Sequence, residues 1–112
     1  MFSKFTFAAA AMAAVVLGND AHKTFTEIAT ENGWGVESYM VTTEDGYVSE
    51  LFRIPGKAGE SAKGKPAALM MHGLECDHTF WVVNEAHLAP AFIMAEEGFD
   101  VWLGNNRGNR YA

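Results

Sequence analysis

Two short apolar runs, Ala67-Ala68-Leu69-Met70-Met71 and Phe99 to Leu103, constrain this chain more than any other feature. Pro66 and Gly73 bound the first, and Gly98 and Gly104 bound the second. Such runs have the length of strands and fall short of a stable helix. The first is apolar on both faces, which predicts a fully buried strand of a mostly parallel sheet. A piece of buried helix is the alternative, and the abrupt stop at Gly73 favours the strand. Between the runs, Pro90 to Glu97 carries a short helix signature. Pro90 suits the first helical position, where its missing N–H costs nothing, and Gly98 suits the position just past the end. Phe92 and Ile93 are expected to face the sheet, with Glu96 and Glu97 toward water. Strand, loop, helix and strand make a βαβ unit with a right-handed crossover.

An antiparallel hairpin precedes this unit. Val36 to Thr43 alternates as a strand, with Tyr39, Val41 and Thr43 on one face. Glu44-Asp45-Gly46 is a tight-turn signal, because Gly46 can take the positive φ that Asp-Gly turns require. Tyr47 to Ile54 resumes as the second strand, with Val48, Phe52 and Ile54 sharing a face that Glu50 interrupts. Pro55-Gly56 ends it. Lys57 to Lys65 has no large apolar residue and reads as a surface loop. The class is therefore α/β, with a hairpin followed by a βαβ unit in one domain spanning 33–112.

Composition narrows the function classes. An apolar fraction of 49% can fill a core. A net charge of −6 supplies no basic patch, so the chain is not expected to bind nucleic acid. The single cysteine, Cys76, rules out an internal disulfide. Residues 1–18 have the form of a secretory signal peptide: a short positive start at Lys4, an apolar stretch from Phe5 to Leu17, and small residues before a cleavage point after Gly18, with Ala21 as a second candidate. That apolar stretch is short of the roughly 20 residues a membrane span needs, so no transmembrane span is expected. Entry to the secretory pathway follows, with an extracellular or lysosomal destination. Residues 19–32 read as a polar lead-in of one or two helical turns or extended chain.

Candidate chemistry centres on His72-Gly73-Leu74, directly after the first apolar strand. In acyl-transfer enzymes a loop so placed aims a backbone N–H at the oxygen that turns negative in the tetrahedral intermediate. Leu74 would supply that N–H, and His72 and Gly73 would shape the loop. From three residues alone, a strand-ending turn with a capping histidine is the simpler reading. A nucleophile would sit in Gly-x-Ser-x-Gly on a strand-to-helix turn. The serines are Ser3, Ser38, Ser49 and Ser61, and none has that setting. Ser61 follows Gly59-Glu60 but has neither a preceding buried strand nor a closing glycine. Cys76 lies between Glu75 and Asp77, which disfavour a thiolate, so it is expected to be inert or partly buried. His72, Cys76 and His78 have conceivable ligand spacing but no second cluster to complete a tetrahedral site, so no metal and no cofactor are expected. Trp81 is read as a packing anchor. Arg107 is read as a structural arginine bonding carbonyls or a carboxylate, with neighbouring asparagines satisfying loop backbone groups.

Taken together, these pieces resemble the N-terminal part of the gastric and lysosomal acid lipases. The resemblance rests on Val41-Thr42-Thr43-Glu44-Asp45-Gly46-Tyr47, Arg53-Ile54-Pro55, His72-Gly73-Leu74, Trp81 and Asn84, Ala91-Phe92-Ile93, and Gly98 to Asn109. It implies an α/β-hydrolase fold, present here as an incomplete sheet, and hydrolysis of triacylglycerols or steryl esters by a Ser-His-Asp triad. It implies that Leu74 gives one oxyanion N–H, while the second donor, the serine, the acid and the histidine lie beyond Ala112. Asn106 stands where the family usually has serine, and Pro90 where an apolar residue is usual. The expected function is thus a segment of a lipid-ester hydrolase, inactive by itself. The alternative is a short non-catalytic protein that binds lipid or a partner lipase chain. An open apolar sheet edge would make such a product depend on an oligomer or a partner.

Overall fold

The computed structural model describes residues 20–112, so the signal-peptide expectation for 1–18 lies outside the described residues. The chain folds as a mixed four-stranded sheet with its helical segments packed on one face, an open and incomplete sheet as the resemblance implies. The strands are β1 (Glu37–Thr42), β2 (Val48–Ile54), β3 (Ala67–Met71) and β4 (Asp100–Gly104), in the order β1-β2-β4-β3. β1 and β2 form the expected hairpin, from Glu37↔Arg53 to Thr42↔Val48. Its turn is closed by the Gly46 N–H donating to the Thr43 carbonyl at 3.0 Å, with Gly46 at φ 90°. β2 joins β4 antiparallel through Phe52↔Leu103 and Ile54↔Val101, and β3 joins β4 in parallel. The parallel pair requires a crossover, which holds a 3-10 turn (His78–Val82) and a helix (Pro90–Glu96), as the βαβ reading expects.

The core lies under one face of the sheet. Phe52, Ile54, Val101 and Leu103 meet Ala91, Phe92 and Ala95 of the Pro90–Glu96 helix, together with Val82 of the 3-10 turn. The other face carries Arg53, whose guanidinium makes a two-point bond to Asp100 at 2.8 and 2.9 Å. It also reaches Glu37 at 3.0 Å and lies 4.6 Å over the Trp102 ring. Among the described residues no helix is long and apolar enough to cross a membrane.

Three expectations are corrected. β3 is not fully buried: it pairs on one side only, and Leu69 is 65% exposed and Met71 42% exposed. Among the described residues, no helix covers its apolar residues on the far face of the sheet. On the crossover helix, Phe92 packs inward but Ile93 is exposed, because 100° per residue carries position 93 off the face set by Ala91, Phe92 and Ala95. The lead-in, finally, is part of the packed unit. Phe25–Glu31 forms a helix, α1, and the crossover helix is α2. Phe25 and Ala29 of α1 are core residues, with Phe25 set edge-on to Phe52 at 5.3 Å. A capping box starts α1: the Glu27 N–H donates to Thr24 Oγ1 at 3.2 Å, and the Thr24 N–H donates to Glu27 Oε2 at 2.7 Å. The Thr24-x-x-Glu27 spacing is the signal that marks this helix in the sequence. The β1 stripe of Tyr39 and Val41 lies on the face away from the core, since Tyr39 opposes Leu51 while Phe52 and Ile54 point inward.

Candidate active site

β3 and β4 run parallel, so their carboxyl ends open at the same edge of the sheet. There the loop after β3, His72 to Asp77, faces the loop after β4, Asn105 to Asn109. Together they line a cleft of about 730 Å3. This is where ligand-binding loops collect in open α/β sheets.

Leu74 stands at the tip of the first loop, 94% exposed. Its backbone N–H donates to no group among the described residues. The loop turns through Cys76, whose N–H donates to the Gly73 carbonyl at 3.3 Å, with Glu75 in the left-handed region at φ 59°. Gly73 itself has no positive φ, and a Cβ built on it would meet nothing within 4 Å. The space above Gly73 is open to an approaching group, and the strained position of the turn is Glu75.

His72 ties the two loops together. The Asn106 backbone N–H donates to His72 Nε2 at 3.0 Å. A backbone N–H can only donate, so Nε2 is the unprotonated nitrogen. The proton then lies on Nδ1, which donates to the Gly73 carbonyl at 2.8 Å. The Asn109 side-chain Nδ2 also lies 3.2 Å from Nε2. Behind this contact, Asn105 is buried, and its orientation is fixed by two one-way bonds. Oδ1 accepts the His78 N–H at 3.0 Å, and Nδ2 donates to the Glu50 carbonyl at 2.8 Å.

His78 is fully buried, stacked on Phe52 at 3.9 Å and edge-on to Phe25 and Tyr111. Burial pushes its imidazole below the ordinary value, against the bond to Asn105 and the neighbouring Asp77. This side chain turns into the core, so His72, Cys76 and His78 do not converge on a point; among the described residues no group of three or more His, Cys, Asp or Glu gathers as a metal site. Cys76 is half-buried in the cleft wall. Burial pushes the Asp77 carboxyl up, but the Thr79 hydroxyl and N–H donate to it and hold it below its ordinary range. Arg107 takes the structural part expected of it: Nη2 pairs with Asp45 at 2.6 Å, and the guanidinium covers the Tyr47 ring at 3.9 Å. The Thr43 hydroxyl, then Arg107, holds the Asp45 carboxyl low. Trp81 is partly buried against the core. Ser38 and Ser49 lie in the hairpin, and the Ser61 hydroxyl accepts the Lys63 N–H in a loop at 3.1 Å; none of the three lines the cleft. The parts of this site that motif reading missed are Asn105 and Asn109 as connectors, because their partners lie 27 to 55 residues away in sequence.

Comparison with known proteins agrees with the geometry. The family model described as the partial alpha/beta-hydrolase lipase region matches residues 25–85, more than half of the chain. The chain is 45% identical to lipase lipl-1 of Caenorhabditis elegans over 118 aligned positions, covering 99% of this chain and 29% of that protein. It is 48% identical to human lysosomal acid lipase/cholesteryl ester hydrolase, covering 77% of this chain and 22% of that protein. It is 42% identical to mouse gastric triacylglycerol lipase, covering 83% and 24%. The chain thus spans less than a third of the length of these curated relatives. It belongs to the α/β-hydrolase lipase family of lysosomal and gastric acid lipases, and carries part of that family's lipase region.

Proposed function

We propose that this chain is the oxyanion-loop segment of a secreted or lysosomal acid lipase, whose complete form hydrolyses triacylglycerols or steryl esters in lipid catabolism. The observation that carries this reading is the uncommitted Leu74 N–H, at the tip of a loop whose base is pinned through His72. A donor on an exposed loop tip that spends no bond inside the protein is what a developing oxyanion needs. When a serine attacks the ester carbonyl, the carbonyl oxygen takes the negative charge, and the Leu74 N–H stabilises it. The second donor is the N–H of the residue after the serine, which this chain does not contain. The exposed Leu74 side chain forms part of the wall for the acyl chain. The chain by itself holds no Gly-x-Ser-x-Gly and has no turnover. The first 18 residues act as the signal peptide that delivers the protein to the secretory pathway.

The test is Leu74→Pro in the complete lipase, which removes the N–H and keeps an apolar side chain. Loss of one oxyanion donor should lower kcat by about 10²–10³-fold. An undiminished kcat would sink the assignment. For the isolated chain, a short-chain nitrophenyl ester should be turned over no faster than by its Ser61→Ala variant. Full-length transcript sequencing should show the reading frame continuing into a nucleophile motif, and a stop codon after Ala112 in genuine mRNA would overturn the segment reading.

A further inference from the structure

We propose that Asn109 is a positioning residue for the oxyanion loop, acting with the Asn106 N–H to hold His72 in the one tautomer that can brace Gly73. This deepens the reading above and rests on it. The Asn109 amide has one orientation. Its Oδ1 accepts the Tyr111 N–H at 2.8 Å, and because a backbone N–H can only donate, Nδ2 must face the other way. There Nδ2 donates to Asn105 Oδ1 at 3.1 Å and to His72 Nε2 at 3.2 Å. Asn105 is locked in turn by the His78 N–H and the Glu50 carbonyl. A chain of bonds therefore links β2, through Asn105 and Asn109, to the His72 ring, with the Asn109 amide donating both ways. It ends on the Gly73 carbonyl, in the same peptide unit as the Leu74 N–H. Donors arrive at Nε2 from Asn109 and from the Asn106 backbone, so a proton on Nε2 would meet both head-on. His72 is thereby confined to the tautomer with Nδ1–H, the only one that can hold the Gly73 carbonyl. The peptide between Gly73 and Leu74 carries both this carbonyl and the catalytic N–H, so fixing the first orients the second.

Asn109→Asp tests this directly. The carboxylate can still accept the Tyr111 N–H, but it puts acceptor lone pairs against His72 Nε2 in place of a donor. Nitrogen-15 spectra of the 112-residue chain should show His72 Nε2 shifting from the unprotonated toward the protonated range, as the new carboxylate competes with the Asn106 N–H that still donates there. In the complete lipase, the same change should lower kcat by about tenfold to a hundredfold and leave KM within about twofold, as expected when a misplaced donor matters only in the transition state. Asn109→Ala, which adds no charge, should give a smaller kcat loss in the same direction and serves if the aspartate variant does not fold. An unmoved His72 resonance, or a kcat equal to wild type in both variants, overturns the proposal. The spectra do not depend on hydrolysis, so the two readings fail separately. An unimpaired Leu74→Pro lipase removes the oxyanion reading and this role with it, whereas an impaired Leu74→Pro beside an unaffected Asn109→Asp removes this role alone.

Discussion

His78 is the residue whose protonation the fold resists most plainly. It is fully buried among Phe25, Phe52 and Tyr111, and its backbone N–H and Nδ1 both reach Asn105. Burial depresses its proton affinity, with Arg110 and His72 adding to the effect and Asp77 and Asn105 opposing it. The unfolded chain therefore binds a proton at this site more readily than the folded one. The stability this supplies is complete above the ordinary imidazole value of about 6.5 and is lost as pH falls below it through the folded value. Asp100, held low by Arg53 and Trp102, acts with the same sign at lower pH: its contribution is present above the ordinary carboxylate range and is lost as acid titrates it. His78→Phe keeps the stack on Phe52 and removes the titration. Urea unfolding between pH 7 and pH 5 should show wild type losing stability faster than His78→Phe, and equal slopes would refute the assignment. In the sequence His78 is a histidine near a cysteine, with metal ligation as one reading. Its burial depends on Phe25 and Tyr111, more than 30 residues away on either side, which no local pattern encodes.

At the level of elements, α1 shows how a short helix survives. Seven residues are too few to be helical in isolation, so α1 depends on its cap and on docking. Thr24→Ala removes the capping hydroxyl and should cost about 1 kcal/mol. Phe25→Ala removes a ring that is 1% exposed and touches both Phe52 and His78. It should cost about 3–5 kcal/mol, measured by denaturant unfolding. If the two changes prove equal and small, α1 is not part of the core. The capping box was legible in the residues, whereas the docking was not, because one aromatic in a polar segment looks the same whether it is buried or exposed. β2 and β4 behaved as their patterns suggest. β3 did not, since hydropathy reports what a strand is able to bury and not what lies beside it.

The whole molecule is asymmetric: one sheet face is packed and the other leaves Leu69, Met71, Tyr39 and Val41 substantially exposed. Among the described residues no strand pairs the outer edge of β3, next to this apolar surface. Such edges recruit other strands. The isolated chain should self-associate with rising concentration in light scattering, and Leu69→Lys should suppress this by placing a charge on the open face. A wild-type chain that stays monomeric throughout would refute the expectation. The sequence by itself determined the hairpin, the βαβ unit and the family, because turn glycines, periodicity and short motifs are local and survive without contacts. Only the tertiary structure decided that the lead-in belongs to the core, that β3 is an edge, and that Asn105, Asn109 and His72 form one line of bonds. Those facts depend on which distant segments meet, and pairing across dozens of residues is set by the packing of the whole sheet.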